Sequence, residues 1–446
     1  MLFCGKTAEI RHHSSKKFAD VIPSKNEGNS LKKAISVAVV LLILAVLSAV
    51  GYVWQKHGVY GLNALLRRGG SYWIAVAPDD ARLSPAMQLA LKSEIPDVTA
   101  GASSWNETEP GFQVREIPVM AGDREIDRLY LNRFDPAKFR FVARNEPSGA
   151  KDIDQWEAAL NPQGAGGTVL IVNGSYFGLK GEADTPFVSM GARLGPDEYD
   201  AKAGAWFVNA SGTHVVDLNS RDWRAVTENA ENAMVSYPLL VGEDGRNNVR
   251  AKSNWLANRT FIAEDRQGWI IVGSTKDAFF SLDRLANFLL QTDLDLKTAL
   301  NLDGGPVACL SVRSGNYRLK HYAKWEAQVA DGDVSLLQAP LDVPWGLPVV
   351  LTVEPQVADP ALGRVGQSTP YSVAETGWHI QPWPLMFTQS DPEYPTISAP
   401  EFAFWLIFVV NMIVIGAAFS RQKTFSVSNG CRMSSHSSGL LAHLFC

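Results

Sequence analysis

Cysteine is scarce in this 446-residue chain: Cys4, Cys309, Cys431 and Cys446 are the four. Three lie close to the ends, so the central part holds only Cys309 and cannot contain an internal disulfide. Nucleotide-binding glycine loops are also missing, because no G-x-x-x-x-G-K-S/T and no G-x-G-x-x-G after a strand occurs. Neither H-E-x-x-H nor G-x-S-x-G is present, which removes the usual marks of zinc proteases and serine hydrolases. No solenoid repeat and no metal-ligand spacing is visible, and the net charge of −5 gives no basic surplus for nucleic acid.

What the chain does have is apolar sequence at both ends. Ala34 to Val53 is uncharged over 20 residues, which as a helix matches a hydrocarbon layer of about 30 Å. It is long for a signal peptide and no small-x-small cleavage site stands cleanly after it, so it reads as a transmembrane helix over 34–54. A second run, Phe402 to Phe419, has Asn411 as its only polar side chain and is followed by Arg421 and Lys423. It reads as a second span over 402–420, with a buried hairpin helix as the alternative. Residues 1–33 carry seven basic and three acidic residues, and 421–446 carry Arg421, Lys423 and Arg432 with no acid. Both tails are therefore expected in the cytoplasm and the middle outside it. That middle has a net charge of about −12, which argues against polyanion binding. An exported domain without a disulfide suits a bacterial envelope, with the domain periplasmic, where the N-x-S/T triplets at Asn106, Asn209 and Asn258 carry nothing.

Between the spans, 55–99 reads as a membrane-proximal region with a short helix in Ser84–Glu94, and 100–355 as the main domain. Strand-like segments bounded by Gly, Pro, Asn and Asp recur at 112–119, 128–132, 139–143, 168–172, 205–208, 214–218, 269–272, 298–302 and 348–353. Ser281 can cap a helix whose stripe is Leu282, Leu285, Phe288 and Leu289. The expected fold is α+β: a mixed, largely β domain with a few packed helices, flanked by one transmembrane helix at each end. Seven prolines in 356–400, with Pro355 just before them, mark a tether to the second span.

Three segments put polar groups where an apolar strand gives way to small residues. Asn173-Gly174-Ser175-Tyr176-Phe177 ends a strand, though Asn-Gly also suits a plain tight turn. Arg259-Thr260 opens a strand, where an arginine also suits a surface ion pair. Leu300-Asn301-Leu302-Asp303-Gly304-Gly305 places a carboxylate at a strand end before two glycines, the geometry of a cleft or of an Asp-Gly turn.

In this order the segments resemble the phosphodiester glycosidase family. The motifs are N-G-x-Y-F at Asn173–Phe177, Pro238-Leu239-Leu240 with Gly245, Arg259-Thr260 with Gly268, and L-N-L-D-G-G at Leu300–Gly305. The match departs where relatives follow with small hydroxyls, since Pro306-Val307-Ala308-Cys309 stands there, and Ala263 replaces a glycine. The resemblance implies a hydrolase that cuts a sugar from a sugar-1-phosphodiester. Asp303 is then expected as catalytic carboxylate and Arg259 as catalytic cation on the phosphate, its planar fork matching two oxygens. Asn173, Gly174, Tyr176, Thr260, Gly304 and Gly305 are expected to bind substrate. Glu264, Asp265 and Asp184 are unranked candidates for a second carboxylate. His214 and His321 read as structural or surface residues and Cys309 as a buried thiol. No cofactor is expected, although a divalent cation on Asp303 and carbonyls is compatible with the sequence. The expected partners are a phosphate-linked carbohydrate and the membrane, through two helices. A noncatalytic glycan-binding factor in polysaccharide assembly or export is the alternative.

Overall fold

The computed structural model describes residues 25–161, 167–199, 203–250, 253, 255–330 and 332–356. The N-terminal 24 residues, nearly all of the proline-rich stretch, the second apolar run and the C-terminal tail lie outside the described residues. The chain divides into two compact units, one of which includes residues 1–49 and the other residues 50–403.

In the first unit the apolar run is helical, part of a helix spanning Lys25–Arg68. Its apolar side chains, among them Ile35, Val40, Ile43 and Leu47, are exposed rather than packed into protein, as a membrane segment requires. It is the one described helix long and apolar enough to cross a membrane.

In the second unit residues 50–68 complete that helix, with a non-helical Gly58. Its last turns are tied down by Asn63, which donates to Ser148 O at 2.8 Å, and by Arg67, which pairs with Asp152. Asp152 also caps the helix Ile153–Leu160 in a capping box with Gln155. The membrane-proximal stretch is built into the domain, since Tyr72–Val76 pairs with Asp333–Gln338. The expected short helix is Pro85–Ala90, capped by Ser84.

Among the described residues the domain is built from antiparallel sheets. An eight-stranded sheet runs in the order Leu239–Val241, Leu296–Asn301, Thr260–Asp265, Ile270–Thr275, Arg124–Phe134, Phe112–Ala121, Thr99–Ala100, with Asn106–Glu109 also on Phe112–Ala121. Both faces of this sheet are covered, so its strands alternate between two cores and not between core and water. Phe261, Ile271 and Ala299 join the core containing the helix Leu282–Gln291, whereas Ile262, Val272 and Leu300 join the opposite one. That explains why Thr260–Asp265 is buried throughout.

The opposite core is closed by two five-stranded sheets. One has the order Tyr317–His321, Leu310–Ser314, Leu170–Asn173, Val349–Pro355, Phe139–Asn145; the other is centred on Gly204–Asn209 and Asn232–Ser236. Its densest part is aromatic: Phe112 stacks on Phe134 at 4.3 Å, and Phe139 and Phe141 meet Phe134 edge-on. A four-stranded sheet, Tyr72–Val76, Asp333–Gln338, Glu326–Ala330 and Leu256–Ala257, completes the unit. The expected α+β class holds for these residues.

Phe134→Ala is expected to lower unfolding stability in urea by about 3–5 kcal/mol, because the rings around it cannot collapse into the space. Leu341→Ala, at a side chain 51% exposed, should stay within about 0.5 kcal/mol.

Candidate active site

Strand ends from three sheets meet at one place. Leu170–Asn173 ends at Asn173, Leu296–Asn301 leads into Asp303, and Leu256–Ala257 turns through Asn258 and Arg259 into Thr260–Asp265. Asn173 fastens them: its Nδ2 donates to Asp303 O at 2.7 Å, and its Oδ1 accepts from Thr260 Oγ1 at 2.7 Å. Asp303 N donates to Gly174 O at 3.0 Å, so the two loops are stitched through backbone as well. Gly174 has no room for a Cβ, which would stand 2.6 Å from Val349 Cγ1.

Asn258 fixes the third loop from a fully buried position. Its Nδ2 donates to Thr275 O and Lys276 O, and its Oδ1 accepts from the amides of Lys324 and Trp325. Arg259 is thereby held with Nη2 at 2.5 Å from Trp255 O and Nε at 3.3 Å from Phe280 O. Its Nη1 lies against Gly304. Asp303 Oδ1 accepts from Gly304 N at 2.8 Å.

The loop after Asp303 brings in a residue that the sequence reading did not select. Gly305 has φ of +66°, and a Cβ there would stand 2.1 Å from Glu326 Oε2. Glu326 is buried, and Trp255 Nε1 donates to its Oε1 at 2.9 Å. Burial pushes the Glu326 carboxyl up to about 8; Asp303 adds to the rise, while Arg259 and the Trp255 bond oppose it. Two carboxyls and one guanidinium therefore share a low-dielectric space in which Glu326 keeps its proton at neutral pH.

A tyrosine pair flanks this group. Tyr176 and Tyr237 stack at 4.5 Å, and Tyr176 Oη donates to Tyr237 O at 2.9 Å and accepts from Asn301 Nδ2 at 2.8 Å. Burial, with Tyr237 and Asp303 adding to it, holds the Tyr176 hydroxyl well above the ordinary tyrosine value.

The sequence candidates thus divide. Asn173, Gly174, Tyr176, Arg259, Thr260, Asp303, Gly304 and Gly305 come together, but the second-carboxylate candidates do not. Glu264 is held by Lys297 at 2.7 Å and Val215 N at 2.9 Å, and Asp265 by Arg133 at 2.7 Å. Both sit at the far end of the strand from Arg259. Asp184 is exposed. His214 packs on Phe207 and His321 on Tyr130, and burial pushes the Cys309 thiol up to about 12. Glu326 was missed because its strand, Glu326–Ala330, follows no motif; the small residues Gly304-Gly305 were the only trace of a close neighbour. Among the described residues no group of three His, Cys, Asp or Glu is arranged to hold a metal ion.

Residues 166–334 match the family model described as phosphodiester glycosidase. Among solved structures it is similar to the zebrafish N-acetylglucosamine-1-phosphodiester alpha-N-acetylglucosaminidase catalytic domain auto-inhibited by pro-peptide, at 15% identity and a TM-score of 0.39. That likeness covers 64% of this chain and 88% of the other. A hypothetical protein from Synechocystis is similar at 14% identity and a TM-score of 0.34, covering 53% of this chain and 64% of the other. A putative exported protein from Burkholderia pseudomallei K96243 is similar at 10% identity and a TM-score of 0.35, covering 64% of this chain and all of the other. No curated protein matches the chain by sequence.

The Glu326 proton ties stability to pH. The carboxyl binds its proton more tightly in the folded state than at its ordinary value of 4.5. The resulting stabilisation is complete below that value and is lost as pH rises to about 8. Glu326→Gln still accepts from Trp255 and is expected to flatten this decline in melting temperatures taken between about pH 5 and about pH 9.

Proposed function

We propose that this chain is a membrane-anchored hydrolase that cleaves a sugar from a sugar-1-phosphodiester in envelope or exopolysaccharide metabolism. The observation that carries the reading is the convergence of Asp303, Glu326 and Arg259 in one buried space within a phosphodiester glycosidase domain. The basic tails and the two apolar runs support a place in a bacterial cytoplasmic membrane, with both termini cytoplasmic and the domain periplasmic.

Breaking the bond between the anomeric carbon and the phosphate oxygen requires positive charge on the sugar to be met and negative charge on the phosphate to be offset. Asp303 supplies the carboxylate that faces the anomeric carbon. Arg259 supplies the cation for the phosphate, held rigid by the carbonyls of Trp255 and Phe280. Glu326 gives its proton to the departing phosphate oxygen and regains one as water adds to the sugar. Asn173 and Thr260, whose polar atoms engage each other and the Asp303 loop, act as positioning residues. The Tyr176–Tyr237 pair offers a flat surface for a sugar ring.

The test is sugar release by the full chain from a panel of sugar-1-phosphodiesters. Asp303→Asn and Arg259→Ala are each expected to lower kcat by roughly a hundredfold or more while remaining folded. The wild-type rate should fall above about pH 8 as Glu326 loses its proton, and this limb should vanish in Glu326→Gln. No release from any member of the panel, with glycan binding that survives Asp303→Asn, would replace catalysis by a glycan-binding role in polysaccharide assembly.

A further inference from the structure

The helix that carries the apolar run is longer than a bilayer needs. From Lys32 to Arg68 it has 37 residues, whereas about 20 cross a hydrocarbon layer. The uncharged run stops at Val53, and Tyr52 and Trp54, both more than half exposed, stand at its end as an aromatic belt does at a membrane boundary. Gly58 is then non-helical, with φ of +58°, and breaks the helix before its last stretch, 59–68.

That stretch is amphipathic the wrong way round for a surface bathed in water. Its polar side chains turn inward: Asn63 donates to Ser148 O, Arg67 pairs with Asp152, and the Arg68 guanidinium lies over the Trp345 ring. Val59, Leu62, Leu65 and Leu66 take the other side of the helix. Val59 is 42% and Leu66 79% exposed, while Leu62 and Leu65 are half-buried. No Asp, Glu, Lys or Arg occurs between Lys56 and Arg67 to solvate this side. Exposed leucines stand at both of its ends. Leu341 donates its amide to Arg68 O at 3.1 Å, and Leu179 adjoins Lys180, whose Cβ lies 3.3 Å from the Cβ position of Gly58.

We propose that this face, Val59, Leu62, Leu65 and Leu66 with Leu179 and Leu341 at its ends, docks on the surface of the bilayer that the apolar run crosses. Continuity of the chain decides the occupant. From Trp54 to Val59 the backbone reaches at most about 18 Å, so the face stays close to the membrane boundary whatever angle Gly58 takes. The leucines then enter the headgroup and acyl boundary to the depth of an interfacial helix, about 5–10 Å. The opposite side of the helix carries Tyr60, within electrostatic reach of Asp303, so docking sets the height of the Asp303 site over the bilayer. The inference rests on the anchor reading and not on sugar release.

The test uses the full chain in phosphatidylcholine nanodiscs, carrying Cys4→Ser, Cys431→Ser and Cys446→Ser and keeping the buried Cys309. A fluorophore is attached through Leu66→Cys, Leu341→Cys, Trp54→Cys or, on an exposed hairpin turn, Asp123→Cys. Lipids with a quencher on the acyl chain are expected to remove about half or more of the signal at Leu66 and Leu341, and aqueous iodide little of it. At Asp123 the reverse is expected. Trp54 reads the anchor itself: lipid quenching there with only iodide quenching at Leu66 keeps the anchor and overturns the docking. Lipid quenching at none of the positions overturns both. Leu66 shielded from both quenchers overturns the docking too, because protein, such as a second copy of the chain, would then cover the face.

Discussion

One buried carboxamide holds the centre of this domain together. Asn173 ends a strand of one sheet, yet its two polar atoms bond the hydroxyl of Thr260 and the carbonyl of Asp303, which belong to the strands and loop of another. Neither sheet alone would place Asp303: the sheet with Leu296–Asn301 ends before it, and Gly304 and Gly305 leave the backbone free to go elsewhere. A carboxamide suits this junction because it donates and accepts at once without bringing charge into the core. Leucine would close the space but leave the Thr260 hydroxyl and the Asp303 carbonyl without partners.

Electrostatic composition follows from that framework. Asp303 and Glu326 would repel if both were ionised; burial and Asp303 together raise the Glu326 carboxyl, and Arg259 offsets that rise only in part. In the proposed mechanism these two chemically similar groups take opposite roles, set by their surroundings. Trp255 matters to both, accepting from Arg259 through its carbonyl and donating to Glu326 through its indole.

Much of this was legible in the sequence where local pattern and fold agree. The strand at Phe139–Asn145, the capped helix Leu282–Gln291 and the motif ending in Asp303-Gly304-Gly305 all carry their signals within a few residues. What stayed hidden depends on pairing between distant segments. Tyr72–Val76 looks like a linker until Asp333–Gln338 lies beside it, and Glu326 looks like a surface acid until Gly305 makes room for it. Glu264 and Asp265, two of the unranked candidates, lie at the far end of the strand that follows Arg259, and along a strand a few residues span a distance that no shared site can bridge.

Asn258 has a consequence for how the protein can be made. Its amide nitrogen is bonded to two backbone carbonyls at full burial, yet it opens an Asn-Arg-Thr triplet. In a eukaryotic secretory host, sugar is added to such an asparagine while the chain is still emerging and extended. A glycan fixed there would block the very position that joins the Arg259 turn to the segment before Glu326. Yeast or mammalian secretion would thus penalise folding at this one residue, whereas a host that leaves the triplet unmodified would not.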